Sequence, residues 1–594
     1  MTTGNIEMSG KVDPITLQVV GGALHTIAKE MGHVLYRMSY SSIIRESEDL
    51  GAGLFDRNFS TLCESDSTPM HIGSIPAYLR GIDETLHGDW EPDDVIIHNH
   101  PYYGASHSPD IAIVVPVFYN DELVGFSGNT AHHVDIGAAT PGLIMDVPDV
   151  FAEGMLFKGL KLYERGKLNK ALWQFIETNT RAPDQVMGDL EAQIASARLG
   201  ERRFRELLDS YGKDLVMSAS AQLMDYSENM LRRRIAEIPD GDYRAEGFLD
   251  DDGRNRGVTL PVKVTVRIKG DGVEVDLTGS SPQVATAFNV PFEGSVKVAC
   301  YFAFRALLLD TYTTQEYVPQ NEGSFRPISV IAPKGTIFNP NYPASNSARF
   351  SQIQRVVSCI MEALSPVMPE KVTAGCSAMA SVPAYSGVRP NGDYWVFIEV
   401  NEGSYGGRPE SDGPDSIDAL MINTRNNPIE DLGMHLPLFC DRYELRDDVP
   451  AAAGEHRGGL GVIKTQRYLT PGFMTHEADG HDDAPWGFRG GHTGNGGRVA
   501  KYNVAEPAAR EDLPAKFSGL LAEAGDCIEI STPCGGGYGD PLARSPEQVR
   551  DDVLDGFSNP DHAFAAYGVV LDGDLEIDAV ATEARRVEMR KAVA

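Results

Sequence analysis

Residues 106–135 read SHSPDIAIVVPVFYNDELVGFSGNTAHHVD, two apolar runs with histidines and carboxylates at both ends. The first run, 111–118, is rich in β-branched residues, and the second, 123–127, follows the polar turn 120–122. Short runs of this kind on either side of a tight polar turn are typical of a β-hairpin. In a hairpin the start of the first strand and the end of the second lie side by side. The polar residues that flank the two strands are therefore predicted to converge.

Three of these flanking residues, His107, Asp110 and His132, form a candidate site. Imidazole and carboxylate groups are the ligands that proteins use for zinc, manganese or non-haem iron, and no cysteine lies nearby in the sequence. Several polar groups that converge on one place favour a catalytic centre. The alternative is that they are ordinary hydrogen-bonded residues where strands meet loops.

The composition excludes some classes of partner. Of the 594 residues 85 are acidic and 52 basic, which gives a formal net charge of −33. Such a surface repels phosphate backbones and anionic lipids, so we expect no nucleic acid and no membrane as partner. No run approaches the ~20 apolar residues of a membrane span, and residues 1–7 lack the basic and apolar regions of a secretion leader. The seven cysteines are scattered and never form Cys-x-x-Cys, which predicts a reducing, cytoplasmic location.

The sequence predicts a mixed α/β (α+β), multi-domain fold in which β-rich layers with glycine turns are covered by long helices. Apolar periodicity predicts helices over 15–38, 184–208, 217–236, 296–309, 351–364, 546–554 and 576–593. Four segments are expected: a metal-site domain with the N-terminal helix and the hairpin (1–239), a β-rich and helical middle domain (240–370), a glycine-rich β domain (371–545) and a C-terminal helical extension (546–594).

Glycines cluster in the third segment, at 403–407, 458–461, 487–497 and 535–539. Tight turns that use positive φ would explain most of them. Phosphate binding is the alternative, but no cluster matches Gly-x-x-x-x-Gly-Lys-Ser/Thr or a strand-linked Gly-x-Gly-x-x-Gly. A Gly-x-Ser-x-Gly elbow is absent as well, so nothing in the sequence supports serine hydrolase chemistry.

Several segments resemble the hydantoinase B family, and their number and order make the resemblance specific over about residues 12–545. These segments are residues 13–20, 46–56, 71–76, 99–110, 132–137, 179–183, 188–193, 456–461 and 533–541. The resemblance implies an ATP-dependent enzyme of two large components that opens the ring of a hydantoin or lactam, such as N-methylhydantoin or 5-oxoproline.

The same resemblance implies a division of labour between two chains. A hydantoinase A-like partner with an actin-like nucleotide fold would bind ATP and Mg, and the two chains would form an (αβ)2-type hetero-oligomer. The B-type chain would hold a divalent metal, which is zinc or manganese, or else iron. The metal ligands of the family fall on Asp49, His107, Asp110 and His132 of this sequence.

Three further residues, His133, Asp135 and Glu46, are predicted to take part in catalysis, either by orienting the ligands or as general bases. Two alternatives stay open. Relatives that carboxylate ketones such as acetone or acetophenone would use the same site differently, and a structural subunit would hold a closed metal site. The sequence departs from the family pattern at residues 47–51, at His100 and at Cys534, which indicates an altered choice of substrate.

Overall fold

The computed structural model describes residues 12–71, 73–311, 316–377 and 381–593, and it has the predicted mixed architecture of helices and several sheets. Helix α1 (Pro14–Met38) begins as the sequence predicts, because the side chain of Asp13 accepts hydrogen bonds from the N–H groups of Ile15 and Thr16. This is the cap expected of an aspartate followed by proline at the first turn. Residues 1–7, where no leader was expected, lie outside the described residues.

All seven predicted helices are confirmed, with ends that differ by a few residues. Five helices of 4–12 residues were missed, since so short a run contains few repeats of the apolar pattern, although two of similar length, 297–308 and 546–554, were predicted. The other described α-helices are α2 (Ser42–Arg45), α3 (Ile75–Leu86), α4 (Lys170–Thr178), α5 (Pro183–Tyr211), α6 (Lys213–Ile235), α7 (Lys297–Leu308), α8 (Phe350–Leu364), α9 (Ile429–His435), α10 (Pro546–Leu554), α11 (Pro560–Tyr567) and α12 (Ala579–Val593).

The first sheet is antiparallel, with seven strands in the order β2, β1, β5, β4, β3, β6, β7. The strands are β1 (Leu50–Asp56), β2 (Thr61–Glu64), β3 (Val95–His98), β4 (Asp110–Tyr119), β5 (Glu122–His132), β6 (Leu160–Glu164) and β7 (Lys167–Leu168). The predicted hairpin is β4–β5, in which Asp110 lies directly opposite His132. Its turn residues Asn120 and Asp121 have φ angles of 51° and 63°, as a two-residue hairpin turn requires.

Helices cover both faces of this hairpin. α5 packs on one face and α3 on the other, and α1 packs against α5 and on the neighbouring strands β1 and β2. Strands that are buried on both faces read as continuous apolar runs rather than as alternating ones, which explains the composition of β4. The polar residues at the strand ends are consequently buried too.

The second sheet has the order β11, β10, β9, β8. It is formed by β8 (Gly241–Leu249), β9 (Leu260–Lys269), β10 (Gly272–Asp276) and β11 (Ile328–Ile331). Helix α8 packs on β8 and β9, and α7 packs on α8. The N-terminal end of α8 reaches the first sheet, because the ring of Phe350 lies 5.5 Å from that of His107.

Two further sheets form the glycine-rich part. One has the order β13, β12, β16, β19 and the other the order β14, β15, β20, β17, β18. Their strands are β12 (Val382–Val388), β13 (Tyr394–Ile398), β14 (Leu438–Leu445), β15 (Val462–Tyr468), β16 (Gly472–Glu477), β17 (Arg498–Asn503), β18 (Glu506–Leu513), β19 (Phe517–Ala522) and β20 (Asp526–Ser531). The two sheets share a core that includes Tyr385, Trp395 and Tyr468.

The prediction that positive φ explains most of the clustered glycines is wrong. Most of them have ordinary φ angles and lie instead against another backbone. A Cβ atom at Gly458 would lie 2.0 Å from the carbonyl oxygen of Gly535, and one at Gly537 would lie 2.0 Å from that of Ala453. Glycine is needed here because loops from distant parts of the sequence pack backbone against backbone.

The C-terminal helices pack on the glycine-rich part, a question that the sequence left open. Tyr567 of α11 and Val549 of α10 share an apolar cluster with Ala453, and Arg544 forms ion pairs with Asp412 and Asp552. The four-domain division stays a prediction. One apolar cluster nevertheless runs from Leu35 to Ile422, so the first three segments share a continuous core.

Two features of the whole chain complete the fold. Within the described residues, none of the helices combines the length and the apolar character that crossing a bilayer demands. All seven cysteines belong to the described part of the chain, and each is a free thiol.

Candidate metal centre

His107, Asp110 and His132 form a compact buried cluster, as the hairpin pattern predicted. One ligand atom from each of the three lies within 4.8 Å of the others. The Nε2 atom of His107 is 3.0 Å from the Oδ1 atom of Asp110, and the rings of His107 and His132 lie 5.2 Å apart. Asp110 opens β4 and His132 closes β5, so their pairing in the sheet fixes the separation of the two ligands.

The third residue, His107, lies in the loop before β4 and is oriented by a hydrogen bond to the main chain. Its Nδ1 atom is 2.7 Å from the carbonyl oxygen of Ser347. Because a carbonyl oxygen only accepts hydrogen bonds, Nδ1 carries the proton and Nε2 keeps a free lone pair. A hydrogen bond of this kind is how proteins orient a metal-binding histidine.

The ligand atoms lack other partners, which is the observation that tests whether a metal fits. Among the described residues, Nε2 of His107, Oδ1 of Asp110 and Nδ1 of His132 are buried without a hydrogen-bond partner. Leaving a buried polar atom unpaired costs about 1–3 kcal/mol. Two imidazoles and a carboxylate that converge with bare ligand atoms fit zinc, manganese or iron.

The protonation states also suit a cation. Burial lowers the pKa of His107 and lowers that of His132 to about 4. Burial alone would raise the pKa of Asp110, but its interactions with the neighbouring imidazoles and with the permanent charge of Arg349 hold it well below its ordinary value. A metal binds neutral imidazole and ionised carboxylate, and these are the forms that the site maintains at neutral pH.

Asp49 lies beside the cluster. Its main-chain carbonyl accepts a hydrogen bond from the N–H group of His132, and its Oδ1 atom is 2.9 Å from Nε2 of His71. The other ring nitrogen of His71 lies 3.9 Å from Oδ2 of Asp110. The structure thus brings Asp49 to the site, while its role as a ligand stays a prediction.

Sequence reasoning gave His71 no role, although it joins Asp49 to Asp110. One structural feature marks the position of His71. A Cβ atom at Gly51 would lie 2.5 Å from the Cβ atom of His71, so β1 needs a glycine where this side chain crosses the strand. Such a clearance is visible only once the register of the sheet is known.

The three predicted catalytic residues lie elsewhere. His133 points to α5, where its Nε2 atom is 2.9 Å from Oε1 of Gln193. Asp135 accepts hydrogen bonds from Gly137, Thr180 and Arg181. Glu46 is paired with Arg45 and its side chain is 31% exposed. Within the described residues none of the three is a hydrogen-bond or ion-pair partner of the cluster, and their catalytic roles stay predictions.

The cluster is buried beneath mainly apolar side chains. A cavity of about 10 Å³ touches Asp49 and His132, which is room for about one water molecule. The remaining lining residues are Ile43, Met70, Phe350, Val382, Ile398, Val400 and Ile422. The walls therefore come from the first sheet, from α8 and from the glycine-rich part together.

Two positions where the sequence departs from the family pattern lie outside the cluster. His100 packs edge-on against Tyr103, with ring centroids 4.9 Å apart. Cys534 is buried, and its sulfur accepts a hydrogen bond from the N–H group of Gly461. Neither contact tests the altered choice of substrate, which stays a prediction.

The fold and the cluster define a large protein of several sheets with a buried His/Asp centre suited to a divalent ion. Within that class, residues 13–541 match the model of the family Hydantoinase B/oxoprolinase. Because the match covers most of the 594 residues, the chain belongs to this family.

Relatives of known name are similar over nearly the whole chain. A protein of Pseudomonas sp. strain NS671, assigned as the B-type component of a D-/L-hydantoinase, is 48% identical, over 96% of this chain and 97% of its own. The crystal structure of an ATP-dependent caprolactamase from Pseudomonas jessenii has a TM-score of 0.89 at 29% identity, and covers 97% of this chain and 100% of its own.

A third structure, nucleotide-free acetone carboxylase, has a TM-score of 0.90, and covers 98% of this chain and 83% of its own. Its sequence is only 20% identical, so this likeness shows the fold alone.

Proposed function

We propose that this chain is the B-type subunit of a cytoplasmic ATP-dependent amidohydrolase that opens a cyclic amide, either a hydantoin or a lactam such as 5-oxoproline. The observation that carries the proposal is the buried cluster of His107, Asp110 and His132 with its bare ligand atoms. The similar proteins named as a D-/L-hydantoinase component and an ATP-dependent caprolactamase support cyclic amides as the substrate class.

His107, Asp110 and His132, together with Asp49, would hold the divalent ion, which is zinc, manganese or iron. A divalent ion in such a site polarises a carbonyl oxygen or activates a water molecule as a nucleophile. The chain itself orients the ligands, through the carbonyl of Ser347 on His107 and through Ser106 and Arg349 on Asp110. The apolar wall around Phe350 and Val382 excludes bulk water, which would otherwise weaken these interactions.

ATP would be used on a second subunit. An unstrained amide carbonyl is a weak electrophile, and opening an unstrained ring releases little free energy, so ATP would both activate the carbonyl and drive the reaction. No phosphate-binding loop is recognisable in this sequence. We therefore propose a hydantoinase A-like partner that binds ATP and Mg, in an (αβ)2-type hetero-oligomer.

The test is ring opening by this chain co-purified with the A-type protein. ATP hydrolysis and product formation are measured with hydantoin, 5-oxoproline and caprolactam, and with acetone or acetophenone plus bicarbonate in parallel. We expect a ring-opened amino acid or carbamoyl product that depends on ATP. His107→Ala should reduce turnover by more than the ~100-fold that loss of a ligand's outer partner costs.

His435→Ala is the matched control, since His435 is 65% exposed and remote from the cluster. A carboxylated ketone in place of an opened ring would replace the hydrolase with a carboxylase. Unchanged turnover in His107→Ala would show that the cluster is not the reaction centre.

A further inference from the structure

The side chain of Arg349 is a buried cation next to the candidate metal centre. Arg349 immediately precedes α8 and is 1% exposed. Its NH2 group lies 2.6 Å from Oδ2 of Asp110, the oxygen that does not face His107. The guanidinium therefore binds the outer side of one metal-ligand carboxylate.

The other N–H groups of the Arg349 guanidinium lack good hydrogen-bond acceptors. Within the described residues Nε has no hydrogen-bond partner, and NH1 lies 3.3 Å from the sulfur of Met70. A thioether is a weak acceptor, whereas a guanidinium has five N–H groups to satisfy. A buried cation with donors left over is costly unless something else accepts from them.

Neighbours of Arg349 line the site. Met70, which NH1 contacts, lines the cavity together with Asp49 and His132. Phe350, the next residue along the chain, lines the same cavity. The guanidinium is therefore separated from the cavity by no more than the side chains that it contacts.

The charges of the residues around the site also favour binding of a negatively charged group. The positive charge of Arg349 offsets the negative charge of Asp110, so a divalent ion would leave the site with a net positive charge. Glu477 is buried nearby, but burial raises its pKa to about 8, so it is neutral at pH 7 and cancels none of this. Lys516, the other cation near Glu477, is engaged with Asp479 at 2.7 Å.

We propose that Arg349 stabilises the negative charge that develops on the carbonyl oxygen of the cyclic amide as its ring opens. This inference rests on the proposed function. Ring opening adds one water: its oxygen bonds to the carbonyl carbon, the C–N bond breaks, and its two protons are shared between the new nitrogen and carboxyl groups. A second water is consumed as ATP is hydrolysed to ADP and phosphate on the partner subunit. The carbonyl electron pair moves onto oxygen as the water adds, and the unpaired Nε–H group of Arg349 would bind that charge.

A merely structural Arg349 would hold Asp110 in place and nothing more, and three variants separate the two roles. Arg349→Met removes the charge, Arg349→Lys keeps it without the planar fork, and Arg349→Ala leaves space that added guanidinium can fill. The control is Arg355→Met, because Arg355 lies on the same helix, is 3% exposed and pairs with Asp483 at 3.0 Å.

We expect Arg349→Met to keep one divalent ion per chain and to lower kcat about 100-fold, as loss of one oxyanion donor does. Arg349→Lys should recover part of that loss, and guanidinium should partly restore Arg349→Ala. Loss of the metal in all three variants, or failure of guanidinium to restore any activity, would reduce Arg349 to a holder of Asp110 and overturn the proposal.

A second readout does not need the lactam. Azide is titrated into the cobalt-loaded protein and followed by its visible spectrum. We expect Arg349→Met to weaken azide binding about tenfold or more, as removal of a buried charge partner does, and Arg355→Met to leave it unchanged. Equal azide affinity in the wild type and Arg349→Met would contradict the proposal. If the wild type binds azide in this way but opens no ring, the proposed function fails and the anion-binding role of Arg349 stands.

Discussion

The buried polar residues on the two faces of the β4–β5 hairpin differ in how their polar atoms are arranged. On one face Asp110 and His132 converge with ligand atoms that have no partner among the described residues. On the other, Gln193 of α5 binds His133, Asn129 and the carbonyl of Ile111, at 2.8–3.1 Å. Burial is alike on the two faces, and Nδ1 of His133 on the second face also lacks a partner among the described residues. The first face differs because its ligand-type atoms come within 4.8 Å of one another and of His107. Convergence of such atoms, more than residue type or a single unpaired atom, therefore marks the candidate functional face.

The strongest test of this contrast uses two adjacent histidines. We expect His132→Ala to abolish metal binding, because it removes one of three converging ligands. His133→Ala should retain the metal, because His133 bonds to Gln193 on the opposite face. The metal content of the two variants is measured by mass spectrometry after dialysis. Equal loss of metal in both variants would erase the distinction between the faces.

Two aspartates provide the next comparison. Asp110→Asn should weaken metal binding more than ~100-fold, since a ligand matters more than its outer partner. Asp135→Asn should retain the metal and lower the free energy of unfolding by about 1–3 kcal/mol, because it disrupts contacts with Arg181 and Thr180. Metal titration and urea unfolding of both variants measure these effects. Metal loss in Asp135→Asn alone would instead make Asp135 part of the centre.

We expect the free energy of unfolding to depend on pH through Glu477, on the face of β16 that meets the cluster. Glu477 lies opposite Val382, which lines the cavity. Burial raises its pKa from 4.5 to about 8. Between these values the folded state holds a proton that the unfolded state has lost, so stability falls as pH rises from 4.5 to 8.

In the metal-free protein, Glu477→Gln should make the free energy of unfolding depend less steeply on pH. The change in slope should correspond to up to about one bound proton per molecule. Urea unfolding at pH 5, 6, 7 and 8 measures the slope, with Asp135→Asn as the control on the other face. An unchanged slope in Glu477→Gln would show that Glu477 is ionised throughout.

The smallest effect is expected from Ser106, whose hydroxyl donates to Oδ2 of Asp110. Ser106→Ala should weaken metal binding about 10-fold while keeping the stoichiometry, since it removes an outer partner of one ligand. Gln193→Met, on the other face, should leave the metal affinity unchanged. Isothermal titration with zinc compares the two. A larger loss in Gln193→Met would reverse the assignment of the faces.

Local sequence was enough for the hairpin and for the three residues of the candidate cluster. The apolar runs and the turn at 120–122 fixed both the pairing of β4 with β5 and the proximity of Asp110 to His132. Long amphipathic helices such as α5 were equally accessible, because a periodic pattern over many residues has few alternative structures.

The features that the sequence did not predict depend on contacts between distant segments. Arg349 and His71 reach Asp110 from positions 239 and 39 residues away, and no local pattern encodes such a meeting. The packing of glycine loops was missed for the same reason, since Gly458 meets Gly535 only in the folded chain. The partners of Asp135 on residues 180 and 181 are likewise invisible in the hairpin sequence.

The most direct test of the central claim is anomalous diffraction from crystals of the protein loaded with zinc or manganese. The account predicts a single strong peak bounded by Nε2 of His107, Oδ1 of Asp110 and the ring of His132, and its absence in His132→Ala. A peak elsewhere in the chain, with none at this cluster, would contradict it.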